Sequence, residues 1–243
     1  MYLSYENPND DSAALWKTRV QTLQSDLNTD IRAITGQSET VVMSFYQCNQ
    51  LSVRPETSGT NYNYGYPTDV INAQKDLIET SNNFIAATPI YQMEFYTSAS
   101  GRQVHITGIY QKLAGYYYGK AISDFICGKD TKKLAKASIT VSSDRTKITI
   151  TTDENICLNA DTYYVRETTH LGFNVVTSDN RDILQSVSVE RYKIVLTLSE
   201  PLVLGSTKVR YAVNNDVNLH SGWYDGSRGN IRDTQGLNYY AEI

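Results

Sequence analysis

Paired cysteines are missing from this chain. Cys48, Cys127 and Cys157 are odd in number and far apart, with no CxxC spacing. Neither a disulfide framework nor a thiolate zinc site is indicated, and the chain reads as one folded in a reducing cytosol. Basic clusters are missing too. With a formal net charge of −4 and no concentration of Lys and Arg, no surface is set up to neutralise phosphates, which is where most nucleic-acid affinity originates. Nucleic acid therefore drops out as a partner. No apolar run approaches the roughly 18 residues needed to span a bilayer. The polar, acidic residues after Met1 do not form a basic-then-apolar leader, so the chain reads as soluble, with no membrane partner. Histidine is scarce. Only His105, His170 and His220 occur, and their spacing has no metal-ligand pattern; no metal and no cofactor are expected.

What is present is enough for a substantial core: 243 residues, 40% of them hydrophobic, allow one large domain or two modest ones. The 19 tyrosines outnumber 5 phenylalanines and 2 tryptophans. Tyrosine suits sugar-binding surfaces and exposed strands alike, since it joins an apolar face to a hydroxyl. Trp16, Val20, Leu23, Leu27 and Ile31 recur at steps of three and four and predict a helix from about Asp11 to Ile31. "ETVVMSFYQ" (39–47) and "NFIAATPIY" (83–91) are continuously apolar, as strands buried on both faces of a parallel sheet are. Between them, "LSVRPETSGTNYNYGYPTD" (51–69) is a loop by its turn chemistry. A helix from about Thr68 to Asn82 follows, with Val70, Ala73, Leu77 and Ile78 inward. His105 is expected in a polar turn. The next helix, about Thr107 to Ile126, is expected to bury Ile109, Leu113, Ala121, Ile122 and Phe125, with Gly115 and Gly119 permitting close approach of a neighbour.

Beyond a charged connector (127–137) the period changes from helical to two. "ASITVSSDRTKITITTD", "QSVSVERYKIVLTLSEPL" and "STKVRYAV" alternate apolar and polar residues, the first about a turn at Ser143 and Asp144. The fold class expected is an incomplete flavodoxin-like α/β/α lobe over residues 1–130, followed by an antiparallel β-sandwich over residues 131–243. Two parallel strands are fewer than such sheets carry, so an upstream segment or another chain is expected along the edge of the first.

"VHITGIYQKLAGYYYGKAI" and "AATPIYQMEFY" resemble the last block of the SGNH (GDSL-like) hydrolases and the strand leading into it. "DIRAITGQSETVVMSFYQCNQ" is similar to the preceding helix and strand of the phage-tail and sialate-O-acetylesterase-like branch. "NICLNADTYYVRETTHLGFNVV", "KVRYAV" and "SGWYDGSRGNIRD" resemble the β-module trailing such enzymes. The resemblance implies removal of O-acyl, in particular acetyl, groups from a bacterial surface polysaccharide by a tail protein of a phage virion made in the host cytoplasm. It implies His105 as the general base for a serine nucleophile. No GDS-like motif follows a strand in residues 1–104, so serine and oxyanion donors would come from an upstream segment.

The family places an aspartate three residues before its histidine, whereas Arg102 stands there. A non-catalytic carbohydrate-binding or structural tail module on a degenerate scaffold is thus the alternative. Tyr62, Tyr64 and Tyr66 of "NYNYGYP", with Gln47 and Tyr91 at the ends of the apolar strands, are the candidate substrate contacts. Homo-oligomerisation is left open. "DGSRGNIRD", with Asp225, Arg228, Arg232 and Asp233, reads as an Arg–Asp closing turn whose glycines take positive φ, with a calcium or sugar site as the sharper alternative.

Overall fold

A computed structural model of the chain describes residues 13–48, 68–97, 103–129, 138–152, 157–163, 165–213, 223 and 226–233, with backbone alone at 68–69, 97 and 103–105. In the first half, α1 (Ala13–Thr35) leads to β1 (Met43–Gln47), α2 (Thr68–Thr80) and β2 (Phe84–Pro89). A hairpin of β3 (Phe95–Thr97) and β4 (Gln103–Ile106) precedes α3 (Gly108–Ile126). β1 and β2 pair in parallel, Met43 opposite Phe84 and Phe45 opposite Ala86. Every residue of β2 is buried, as its unbroken apolar run requires.

Both faces of this pair are covered. Trp16 of α1 meets the Phe45 ring edge-on at 6.1 Å, and Phe45 meets Phe84 at 5.7 Å. The next residue, Tyr46, meets Tyr118 of α3 at 6.0 Å. Successive strand residues point to opposite faces, so α1 and α3 lie on opposite sides. α2 packs beside α1, tied to it by the Lys17–Asp76 ion pair, and its predicted inward residues Val70, Ala73, Leu77 and Ile78 are buried.

α3 meets its expected phase only in part: Ala121 is buried and Leu113 packs against the core, but the other three expected residues do not. Ala114, Tyr117 and Ala121 are its buried residues, whereas Ile109, Ile122 and Phe125 are 79%, 44% and 41% exposed. The helix carries two apolar stripes, and packing selects the one whose alanines let it approach β2 closely. Tyr117 on that stripe also brings its hydroxyl to Arg232 Nη2, 3.5 Å away.

The second half pairs antiparallel among its described strands. β5 (Ser138–Val141), β6 (Lys147–Thr151), β9 (Leu184–Glu190) and β10 (Lys193–Leu198) form one sheet in the order β5-β6-β10-β9. The period-two pattern is met by pairs such as Ile194 opposite Ile150 and Leu196 opposite Ile148, all buried. The predicted turn at Ser143 and Asp144 is there: Asp144 Oδ1 accepts from Ser142 Oγ at 2.5 Å and Thr146 N at 3.1 Å. Two further pairs join β8 (Phe173–Val176) to β11 (Lys208–Tyr211) and β7 (Leu158–Ala160) to β12 (Ile231–Asp233).

The closing segment is a brace. Arg228 donates to three carbonyls, those of Arg166, Gly226 and Glu167, at 2.9–3.0 Å. Asn230, fully buried, donates from Nδ2 to the carbonyls of Asp161, Val165 and Arg166 and accepts from Thr168 N. Arg232 forms a buried ion pair with Asp161 at 2.8 Å. The ion pair joins the closing segment to a distant loop, while Asp225 of the expected Arg–Asp turn lies outside the described residues. Gly229 is not among the positive-φ residues. It is needed because a Cβ there would fall within the Tyr211 ring. The glycine that does need positive φ is Gly172 (φ 97), where a Cβ would also stand 2.5 Å from the Arg228 carbonyl oxygen. His170 and Leu171 before it share the left-handed region, so three successive residues turn sharply to bring Leu171 O onto Asn230 N at 3.0 Å. A single connected core runs from Trp16 through Tyr91 and Tyr211 to Ile231.

Candidate active site

The chain leaves the C-terminal end of β2 through a tight turn. Ile90 N donates to Gln47 O at 3.1 Å and Met93 N to Ile90 O at 2.9 Å. The turn delivers the chain to β3, which pairs with β4 in the register Phe95–Ile106 and Tyr96–His105. His105 is thus on a strand, three residues ahead of α3, and not in the polar turn that its neighbours Gly101 and Arg102 suggest. The hairpin forms because Phe95 and Ile106 oppose each other and are both buried, 1% and 6% exposed; their contact pulls both strands onto the core. Thr107 N extends the ladder to Glu94 O at 3.0 Å, and Thr107 Oγ1 reaches Glu94 Oε2 at 3.4 Å. α3 is then anchored by Gln111, whose Nε2 donates to Ile106 O at 3.1 Å.

Glu94 is the residue that the sequence did not single out. It lies two rungs from His105 on the β3–β4 ladder, and its charge, after partial burial, raises the Tyr110 hydroxyl above its ordinary pKa. The Tyr110 ring packs on Trp223 at 5.2 Å, so α3 and the closing segment meet beside this hairpin. A signal existed in the sequence: Glu94 is the carboxylate within "PIYQMEFY", the stretch between the second apolar strand and His105.

Gln47 and Tyr91, expected as substrate contacts, are corrected. Gln47 is fully buried and donates from Nε2 to Ile71 O at 3.2 Å, fastening β1 to α2. Tyr91 is 1% exposed. Its ring meets Tyr211 edge-on at 6.3 Å, with the two hydroxyl oxygens 3.4 Å apart. Burial first, and then the Tyr211 partner, raises its hydroxyl well above the ordinary value, so it is a neutral core group. Both sit at strand ends where an apolar lobe closes over them, and neither presents a side chain to a ligand. Tyr62, Tyr64, Tyr66, Arg102, His220 and Asp225 lie outside the described residues. No helix of the described residues is long and apolar enough to cross a membrane.

Among solved structures, a carbohydrate acetylesterase from Xanthomonas citri is similar, with a TM-score of 0.58 at 15% identity over 97% of this chain and 47% of that one. The fold is esterase-like. At that identity the likeness concerns the fold alone, and this chain spans about half the length of the esterase. No family model matches the sequence, and no curated protein does.

Proposed function

We propose that the chain is the C-terminal part of an SGNH-type carbohydrate esterase: the second half of a flavodoxin-like lobe with a trailing β-sandwich. The whole would remove O-acetyl groups from a bacterial surface polysaccharide as part of a phage tail. The observation that carries the reading is the succession of parallel pair, His105 hairpin and α3 in a fold similar to that of a carbohydrate acetylesterase.

In the proposed reaction a serine from an upstream segment attacks the acyl carbon, and His105 takes its proton. The imidazolium returns that proton to the leaving sugar oxygen; water then hydrolyses the acyl-serine by the same route, releasing acetate and restoring the serine. The aspartate's role is assigned here to Glu94, the carboxylate two rungs from His105 on the hairpin ladder, because a carboxylate beside an imidazole would stabilise its charged form and fix its tautomer.

The test is acetate release from an acetylated bacterial polysaccharide by the chain combined with its upstream-encoded segment. Wild type is expected to release acetate, and His105→Ala to lose at least a thousandfold of that rate. No release by wild type from any acylated glycan or chromogenic ester would replace this reading by the carbohydrate-binding module, which Arg102 at the acid position favours.

A further inference from the structure

The β3–β4 hairpin has two faces of different character. Along β3 and the residues leading into it burial alternates: Met93 and Phe95 are buried, Glu94 is half-buried and Tyr96 is 62% exposed. A period of two assigns Phe95 and its partner Ile106 to the core face, and Glu94 and Tyr96 to the outer one. Thr107, whose Oγ1 reaches Glu94 Oε2, belongs to the outer face as well.

Tyr96 differs from the tyrosines around it. Tyr46, Tyr91, Tyr110 and Tyr117 each pack on another aromatic ring, whereas Tyr96 has neither a ring contact nor a hydrogen bond among the described residues. A solvated tyrosine on a strand is common, so exposure alone assigns it no task. Its rung does. Tyr96 is paired with His105, and the register shifts immediately beyond, between Tyr96 and Thr97; irregularities of this kind end regular pairing and recur beside active sites.

Residues directly opposed on an antiparallel pair have Cβ atoms about 5 Å apart. The ester oxygen of an O-acetylated sugar is attached to a ring carbon or one methylene away from it. A pyranose laid with its C–H face on the Tyr96 ring, apolar surface on apolar surface, therefore carries its ester to the neighbouring rung. Glu94 and Thr107 give the same face polar groups for the sugar's hydroxyls. Tyr110, three residues past Thr107 and resting on Trp223 at 5.2 Å, continues it toward α3.

We infer that Tyr96 is the sugar-stacking platform of the acyl-sugar subsite, holding a pyranose ring so that its O-acetyl group lies at His105. The inference rests on the esterase reading and adds to it the residue that favours sugar esters over esters of other alcohols.

The probes are O-acetylated mannan and O-acetylated xylan, with a chromogenic acetyl ester lacking a sugar as the contrast. With the chain and its upstream-encoded segment together, Tyr96→Ala is expected to raise KM for an acetylated glycan at least tenfold. It should leave kcat within threefold and hydrolysis of the chromogenic ester within twofold of wild type. Tyr96→Phe should keep KM within threefold of wild type, because the ring and not the hydroxyl is the platform. The chain alone is read by affinity electrophoresis: either glycan in the gel should retard wild type and Tyr96→Phe but not Tyr96→Ala. An unchanged KM in Tyr96→Ala, equal losses on glycan and chromogenic ester, equal retardation of Tyr96→Ala and wild type, or no retardation of wild type by either glycan overturns the inference. Tyr96-dependent retardation without acetate release would refute the esterase reading alone, and acetate release with an unchanged KM in Tyr96→Ala would refute the platform alone.

Discussion

Asn230 is the residue on which the braced loop most depends, and its replacement has a calculable consequence. Its carboxamide gives up four hydrogen bonds in Asn230→Ala, three donated to carbonyls and one accepted from Thr168 N. A net value of about 1 kcal/mol per hydrogen bond makes the loss roughly 3–4 kcal/mol. For a chain of this size each kcal/mol moves the melting temperature by about 2–4 °C, so thermal unfolding should shift by roughly 6–16 °C. Asn230→Asp has the same shape but aims a carboxylate at three carbonyl oxygens, and at neutral pH it should be less stable than the alanine variant. That repulsion raises the folded pKa of the new carboxyl above its unfolded value of about 3.9. The folded state then holds the proton more tightly, so the deficit is smallest below about pH 4 and grows as pH rises through the raised value. Scanning calorimetry of the three proteins from pH 4 to 8 is the measurement. A shift under 2 °C for Asn230→Ala, or an aspartate variant more stable than the alanine variant at pH 7, would refute the assignment of this side chain as the loop's anchor.

Three other outcomes are expected. Burial pushes the Cys48 thiol up to about 11, whereas Cys127 and Cys157 are exposed; a thiol-disulfide reagent at pH 8 should label two cysteines rapidly and the third only after denaturant is added, and rapid labelling of all three would contradict the burial. Gly229→Ala places a methyl within the Tyr211 ring and should cost about 3 kcal/mol or more through overpacking, while Gly115→Ala, in open space on α3, should raise the stability of the isolated chain by about 0.5–1 kcal/mol; denaturant titration reads both signs. If Glu94 supports the imidazole, Glu94→Gln should lower the pKa of His105 in an NMR titration of the chain alone, and an unmoved pKa would remove Glu94 from the proposed site.

Periodicity carried the first half a long way. Val70, Leu77 and Ile78 are spaced for one helix face and are buried on it, and "NFIAATPIY" contains a strand with no exposed residue. It failed in part at α3 because Ile122 belongs to a second apolar stripe with Tyr118 and Ile126, while Ile109 and Phe125 stand off the packed face, and hydropathy ranks isoleucine above the Ala114 and Tyr117 positions that pack. What decides between the stripes is the size that β2 admits and a hydroxyl partner on a strand more than a hundred residues away, neither of which is written locally. His105 was misplaced for a similar reason: Gly101 and Arg102 advertise a turn, and the strand exists because Phe95, ten residues earlier, needs Ile106 opposite it. The partners of Asn230 lie 62–69 residues back in the chain, so "RGNIRD" shows that something is specified without showing what.

The change of period near residue 130 separates two kinds of secondary structure, but packing does not stop there. Tyr91, at the end of the parallel pair, touches Tyr211 on β11; Tyr211 Oη in turn accepts Ile231 N at 2.8 Å. One residue further, Arg232 joins Asp161 to Tyr117 of α3. These contacts are enclosed, and an unmet buried donor or an unpaired guanidinium costs several kcal/mol. Cutting the chain at the change of period would expose both ends of this brace at once. The second half therefore does more than follow the first: it holds the packed face of α3, the same helix whose N-terminus carries the His105 hairpin. A perturbation of the closing segment should consequently be felt at the hairpin through α3, without any residue of that segment touching the substrate.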